Sequence, residues 1–124
     1  MHEPITAVSA AALIDQTLGH QERVTLVDSP AVFAGIKSFE PGEVFGNHYH
    51  EGYDEFFAVV SGELVVWQGR ATRVVLRAGS SLLCARGSHH MLVNESESRA
   101  TLMYVKVPLV ADDTHWVEWT PSAS

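Results

Sequence analysis

From Val24 to Val107 the chain is a succession of short stretches rich in β-branched and aromatic residues, each closed by turn residues. Nine stretches read as strands: Val24–Asp28, Val32–Phe39, Val44–His50, Glu55–Ser61, Leu64–Gln68, Arg73–Arg77, Ser81–Ala85, His89–Asn94 and Ala100–Val107. Turn signals separate them at Glu40-Pro41-Gly42, Ser61-Gly62-Glu63, Gln68-Gly69-Arg70, Ala78-Gly79-Ser80 and Arg86-Gly87-Ser88. Many short strands at close spacing predict an all-β antiparallel sandwich or barrel. Ahead of them, residues 9–18 predict a short helix. Ser9 is its N-cap, Gly19 its stop, and Leu13, Ile14 and Leu18 share one face. The tail after Val110 is polar except for Trp116, Val117 and Trp119, which are expected to pack back on the barrel. Residues 120–124 are expected to fray.

Two strands lack the alternation of a sheet with one wet face. Phe56-Phe57-Ala58-Val59-Val60 and Leu64-Val65-Val66-Trp67 are apolar on both sides. Something must cover the outer face, and the predicted helix is too small to do so alone. A second copy of the chain is the expected cover, which predicts a homodimer. The length of 124 residues, with 46% hydrophobic and 19% charged residues, suits one globular domain. No apolar run approaches the length a membrane helix needs. Eight Lys and Arg against fifteen Asp and Glu give a net charge of −7, which disfavours binding to nucleic acid. Met1-His2-Glu3-Pro4 shows neither a basic region nor an apolar core, so no secretory signal is expected. The lone Cys84 forms no internal disulfide and fits a reducing cytoplasm.

Seven histidines are many for a chain of this size, and three have an informative spacing. His48 and His50 flank Tyr49, so in a strand both imidazoles aim at one volume. Glu55 opens the next strand, which pairs antiparallel and can return a carboxylate to that volume. His90 begins a further strand after Arg86-Gly87-Ser88. Three imidazoles and one carboxylate suit a divalent first-row metal, and four protein ligands leave up to two octahedral positions open. A closed structural zinc site more often uses Cys.

These residues resemble the two motifs of the cupin family. The first reads Gly42, five residues, His48-Tyr49-His50, four residues, Glu55, six residues, Gly62. The second reads Gly79, five residues, Ala85, one residue, Gly87, two residues, His90, three residues, Asn94. Ala85 departs from the family's usual Pro and removes a constraint on the turn before the last ligand. The resemblance implies a double-stranded β-helix, or jelly-roll barrel, with its core at residues 24–110, and the tail following at 111–124. It also implies one divalent metal (Fe, Mn, Ni, Cu, Co or Zn) on His48, His50, Glu55 and His90. It does not choose a reaction, because cupins include dioxygenases, decarboxylases, isomerases, lyases, cyclases and non-catalytic binders.

Strand alternation from these residues places Phe57, Val59, Leu92 and Asn94 inside and Tyr49 and His89 outside. Phe57, Val59 and Leu92 are the expected apolar walls of a substrate pocket. Lys37 is expected on a solvated face; turned inward, it would hold a substrate carboxylate or phenolate. Arg86, in the turn before His90, is either a rim contact or a plain exposed Arg. Cys84 reads as an inert small hydrophobe, Asn94 as structural, and Trp67 and Met103 as core. His115 reads as surface packing near the tryptophans. Glu55 is either a ligand or a base released from the metal. The expected function is a metal-dependent enzyme acting on a small, partly apolar molecule, of dioxygenase type. A redox-neutral lyase, isomerase or cyclase and a non-catalytic binding module are the alternatives.

Overall fold

The computed structural model describes residues 23–118, and all the regular secondary structure in them is β. The helix expected at residues 9–18, Trp119 and residues 120–124 lie outside the described residues. The strands are β1 (Arg23–Asp28), β2 (Phe33–Phe39), β3 (Val44–Tyr49), β4 (Asp54–Ser61), β5 (Glu63–Gln68), β6 (Thr72–Arg77), β7 (Ser81–Cys84), β8 (His90–Val93), β9 (Ala100–Val107) and β10 (His115–Trp116). The nine expected strands all form, each end falling within one residue of its expected position. β10 was not foreseen.

The strands form two five-stranded sheets, ordered β1-β2-β9-β4-β7 and β10-β3-β8-β5-β6. Every pairing is antiparallel. Register in the first sheet sets three rows of side chains facing the interior. Phe33, Lys106, Glu55 and Cys84 form one row; Gly35, Tyr104, Phe57 and Leu82 the next; Lys37, Leu102 and Val59 the third. Below them the barrel is filled by a core that includes Phe39, Val59, Leu64, Val66, Leu76 and Leu92. Each large apolar side chain buried there stabilises the fold by ~1.5–3 kcal/mol, so this end needs no polar support. Gly35 has a steric reason. A Cβ there would lie 2.7 Å from the Tyr104 hydroxyl, so only glycine lets that ring fold across β2.

Asn94 is fully buried and ties three segments together. Its Nδ2 donates to the carbonyls of Phe39 (3.0 Å) and Ser98 (2.8 Å), and its Oδ1 accepts from Ser96 N (3.0 Å). Trp67 and Met103, expected in the core, are only half-buried.

Gly62, in the β4–β5 turn, has φ +77°, and a Cβ there would lie 2.6 Å from the Arg99 carbonyl oxygen. Gly42 has φ +82° with nothing within 4 Å of such a Cβ. Gly42→Ala should therefore cost only the left-handed backbone penalty, ~1–2 kcal/mol. Gly62→Ala should cost that plus ~1–3 kcal/mol of overlap with rigid backbone. Urea denaturation of both variants checks this. Equal losses would show that the Arg99–Ala100 contact yields freely.

Candidate metal centre

The second sheet supplies three imidazoles and the first sheet one carboxylate. His48 on β3 lies directly opposite His90, the first residue of β8. The β3–β8 register shifts between Phe45 and His48, and this bulge aims His48 inward. His50 follows β3, and Glu55 is the second residue of β4. One ligand atom from each of the four lies within 4.8 Å of the others, and all four residues are buried. His48 and His90 ring centroids are 4.2 Å apart, and those of His48 and His50 4.9 Å.

Backbone carbonyls decide which ring nitrogen faces the cluster. His48 Nδ1 lies 2.7 Å from Gly46 O, His50 Nδ1 2.9 Å from Asp113 O, and His90 Nδ1 3.0 Å from Ser88 O. A carbonyl only accepts, so each Nδ1 donates a proton to it and each ring turns its Nε2 inward. There Glu55 Oε1 lies 3.0 Å from His50 Nε2 and 3.5 Å from His90 Nε2. His90 Nε2 is buried and makes no hydrogen bond of its own. Three Nε2 atoms and a carboxylate oxygen converge on one buried volume, so the donor set fits a metal ion.

Electrostatics keep His48 and Glu55 in their metal-binding forms. Burial, reinforced by repulsion from His90, pushes His48 down to about 3, so it stays neutral. Burial works against the charge on Glu55, but contacts with His50 and His90 outweigh it and hold the carboxyl at about 2. Cys84 is buried, and burial with the nearby Glu55 charge pushes its thiol up to about 12, which suits the inert role read from sequence.

The turn before His90 closes without the family's usual proline. Ser88 N donates to Ala85 O (3.0 Å) and Gly87 N to His50 O (2.6 Å). Around the rim, the Asp113 carboxylate accepts from Gly52 N (2.7 Å), Glu51 N (3.2 Å) and His115 Nε2 (3.0 Å). Tyr49 stacks between His89 and His115, each at 4.9 Å. Trp116 packs against Phe45 and His48 while remaining 62% exposed.

Three of the donors, His48, His50 and Glu55, line one wall of an open cavity of about 410 Å³, counted out to its mouth. Phe57 and Leu92 line it as expected. Val59 does not; alternation put it inside correctly, but it lies deeper in the core. Arg86 is also away from the cavity, exposed, with its Nε 3.3 Å from Asp54 Oδ1. Lys37 reverses the expectation of a solvated side chain. It is 5% exposed, lines the cavity and holds Glu43 at 2.6 Å. The register opposite Leu102 turns it inward, and Glu43 supplies the balancing charge. Sequence reading missed Arg23, Phe39, Phe45, Leu102, Tyr104, Lys106 and Thr114, which also line the cavity. Only Lys106 left a signal, as the sole charge in the run Ala100–Val107.

A family model described as the cupin domain matches residues 35–106. The fold is similar to that of a solved Bacillus halodurans protein (20% identity, 93% of this chain and 92% of that chain, TM-score 0.72). It is also similar to KdgF from Halomonas sp. (24% identity, 73% and 80%, TM-score 0.66). Oxalate oxidase, solved with the substrate analogue glycolate, aligns at 25% identity over 63% of this chain and 42% of its own (TM-score 0.59). No curated protein sequence matches the chain.

Proposed function

Because the chain belongs to the cupin family, we propose that it is a metal-dependent enzyme acting on a small, partly apolar organic substrate, an oxidoreductase of dioxygenase type. The observation that carries this reading is the buried set of His48, His50, Glu55 and His90, with its ligand atoms converging beside an open cavity. A divalent ion held there supplies Lewis acidity and up to two coordination positions open to the cavity. Around it, Phe57, Leu92 and Leu102 exclude water and press on the carbon skeleton. Glu55 is positioned either to neutralise the ion or to take a proton from the substrate. Apolar walls at Phe57, Leu92 and Leu102 facing the cations Arg23, Lys37 and Lys106 suit a partly apolar organic acid or phenol. The likeness to oxalate oxidase, an oxidase by name, supports the oxidoreductase class.

The experiment is oxygen uptake by metal-loaded protein across a panel of small aromatic and aliphatic acids. Uptake matched to product formation is expected. Product without uptake assigns the site to redox-neutral lyase, isomerase or cyclase chemistry, and a ligand recovered unchanged assigns it to binding alone.

We also propose a homodimer formed on the outer face of the first sheet. Phe56, Ala58 and Val60 face outward there, only half-buried, and Leu83 beside them is 57% exposed. Stable dimers bury on the order of 1,200–2,000 Å² or more. Light scattering at micromolar concentration should give twice the mass of 13.6 kDa; a monomer mass removes the proposal. The lone, buried Cys84 supports placing the protein in the cytoplasm. Among the described residues no helix is long and apolar enough to cross a membrane.

A further inference from the structure

Eight lysines and arginines serve a chain of net charge −7, and most are neutralised locally. Lys37, Arg73, Arg77, Arg86 and Arg99 lie against Glu43, Glu95, Glu63, Asp54 and Glu40 at 2.6, 2.9, 3.2, 3.3 and 2.8 Å. Arg23 and Lys106 form no ion pair among the described residues, and both line the cavity. Aromatic faces hold them instead. Arg23 Cζ is 5.4 Å from the Phe45 ring centroid and 5.6 Å from that of Tyr104. Lys106 Nζ is 5.3 Å from the Tyr53 centroid and 5.9 Å from that of Tyr104. A cation resting on a ring face keeps its N–H donors available.

The same rings lead to the donor set. Phe45 packs on His48 at 4.9 Å, and Tyr53 stacks on His50 at 4.2 Å. Each unpaired cation therefore lies one ring away from an imidazole of the cluster, and Tyr104 lies beneath both. Glu55, the sole acid of the cavity lining, already faces His50 and His90. Among the described residues, these two cations line a cavity whose sole carboxylate is already engaged, an arrangement suited to a bound anion.

We propose that the cavity takes a small carboxylic acid, its carboxylate held between Arg23 and Lys106 and a second oxygen function reaching the His–Glu donor set. This deepens the proposed function and rests on its reading of the cavity as the substrate site. The donors fix orientation, so the carbon skeleton lies along Phe39, Phe57 and Leu102. Charge-assisted hydrogen bonds to a carboxylate are about twice as strong as neutral ones. Loss of the carboxylate charge should therefore weaken binding by about tenfold or more.

The test compares 4-hydroxyphenylacetate with 4-hydroxyphenylacetamide by calorimetry, on metal-loaded wild type, Arg23→Met, Lys106→Met and the double variant. Met keeps an apolar stem at each site, and Arg23 is exposed, so its variant should fold even if the other does not. The acid should bind about tenfold tighter than the amide in wild type, less so in each single variant, and equally in the double variant at unchanged metal content. The preference should persist in metal-free protein. Equal binding of acid and amide by wild type, or no binding of 4-hydroxyphenylacetate at millimolar concentration, overturns the proposal. So does a preference that vanishes with the metal and ignores both cations; that outcome puts the carboxylate on the ion and leaves the metal centre standing. A cation-dependent preference in a protein that never takes up metal does the reverse, keeping the anion site and removing the metal reading.

Discussion

Replacing His48 and His50 together with Ala should leave the protein without bound metal. The two residues contribute two of the four converging donors, and what remains is one imidazole and one carboxylate on opposite sheets. Even loss of a hydrogen-bond partner behind a metal ligand typically lowers affinity by about 10–100-fold. Loss of two ligands should exceed that by further orders of magnitude. The fold should survive, because the apolar core below is untouched, and circular dichroism checks it. The decisive measurement is elemental analysis of tag-free protein after reconstitution with each first-row divalent ion. Occupancy near the wild-type value would place the ion elsewhere and remove the basis of the proposed chemistry.

Glu55→Gln should damage turnover far more than metal binding. Three imidazoles keep their Nε2 atoms directed inward by the carbonyls of Gly46, Asp113 and Ser88, none of which depends on Glu55. Gln has the same size and retains one carbonyl oxygen as a donor, so occupancy should fall only in part. It carries no negative charge and accepts no proton at neutral pH, whereas Glu55, held at about 2, is ionised throughout that range. A positioned base is typically worth about 10²–10⁴ in rate. The ion's effective charge also rises by one unit, which shifts its redox potential and the pKa of bound water. Activity per bound ion, compared at equal loading, separates the two roles of Glu55. An unchanged value per ion would make it a ligand and nothing more.

The strands were legible in the sequence because their signals are local: β-branched runs, alternation, and turn residues at fixed intervals. The metal donors were legible for a related reason, since His48, His50 and Glu55 lie close together in the chain and His90 follows a recognisable turn. The expected antiparallel pairing of their two strands does not form: β3 and β4 belong to different sheets, and Glu55 meets the imidazoles across the barrel interior. Lys37 was misread because a strand lysine taken alone looks solvated. Its inward face depends on pairing with Leu102, far along the chain, and on Glu43 returning to meet it. Lys106 is directly opposite Glu55, yet that register joins β4 to β9 and no short-range pattern encodes it. Alternation correctly turned Val59 inward but carries no information about depth along a barrel. Asp113 was invisible for a different reason: it serves His50 through its backbone carbonyl, a group every residue has.

That carbonyl gives the end of the described chain a stake in the ion. Asp113 precedes β10, a strand of two residues held to β3 by the pairs His115–Tyr49 and Trp116–His48. Thermodynamic linkage is reciprocal: whatever affinity the ordered segment lends the ion through His50, the ion returns as protection of that segment against local opening. Residues 113–117 then behave as a latch whose amide exchange slows when metal loads, while exchange in the apolar end of the barrel stays as it was.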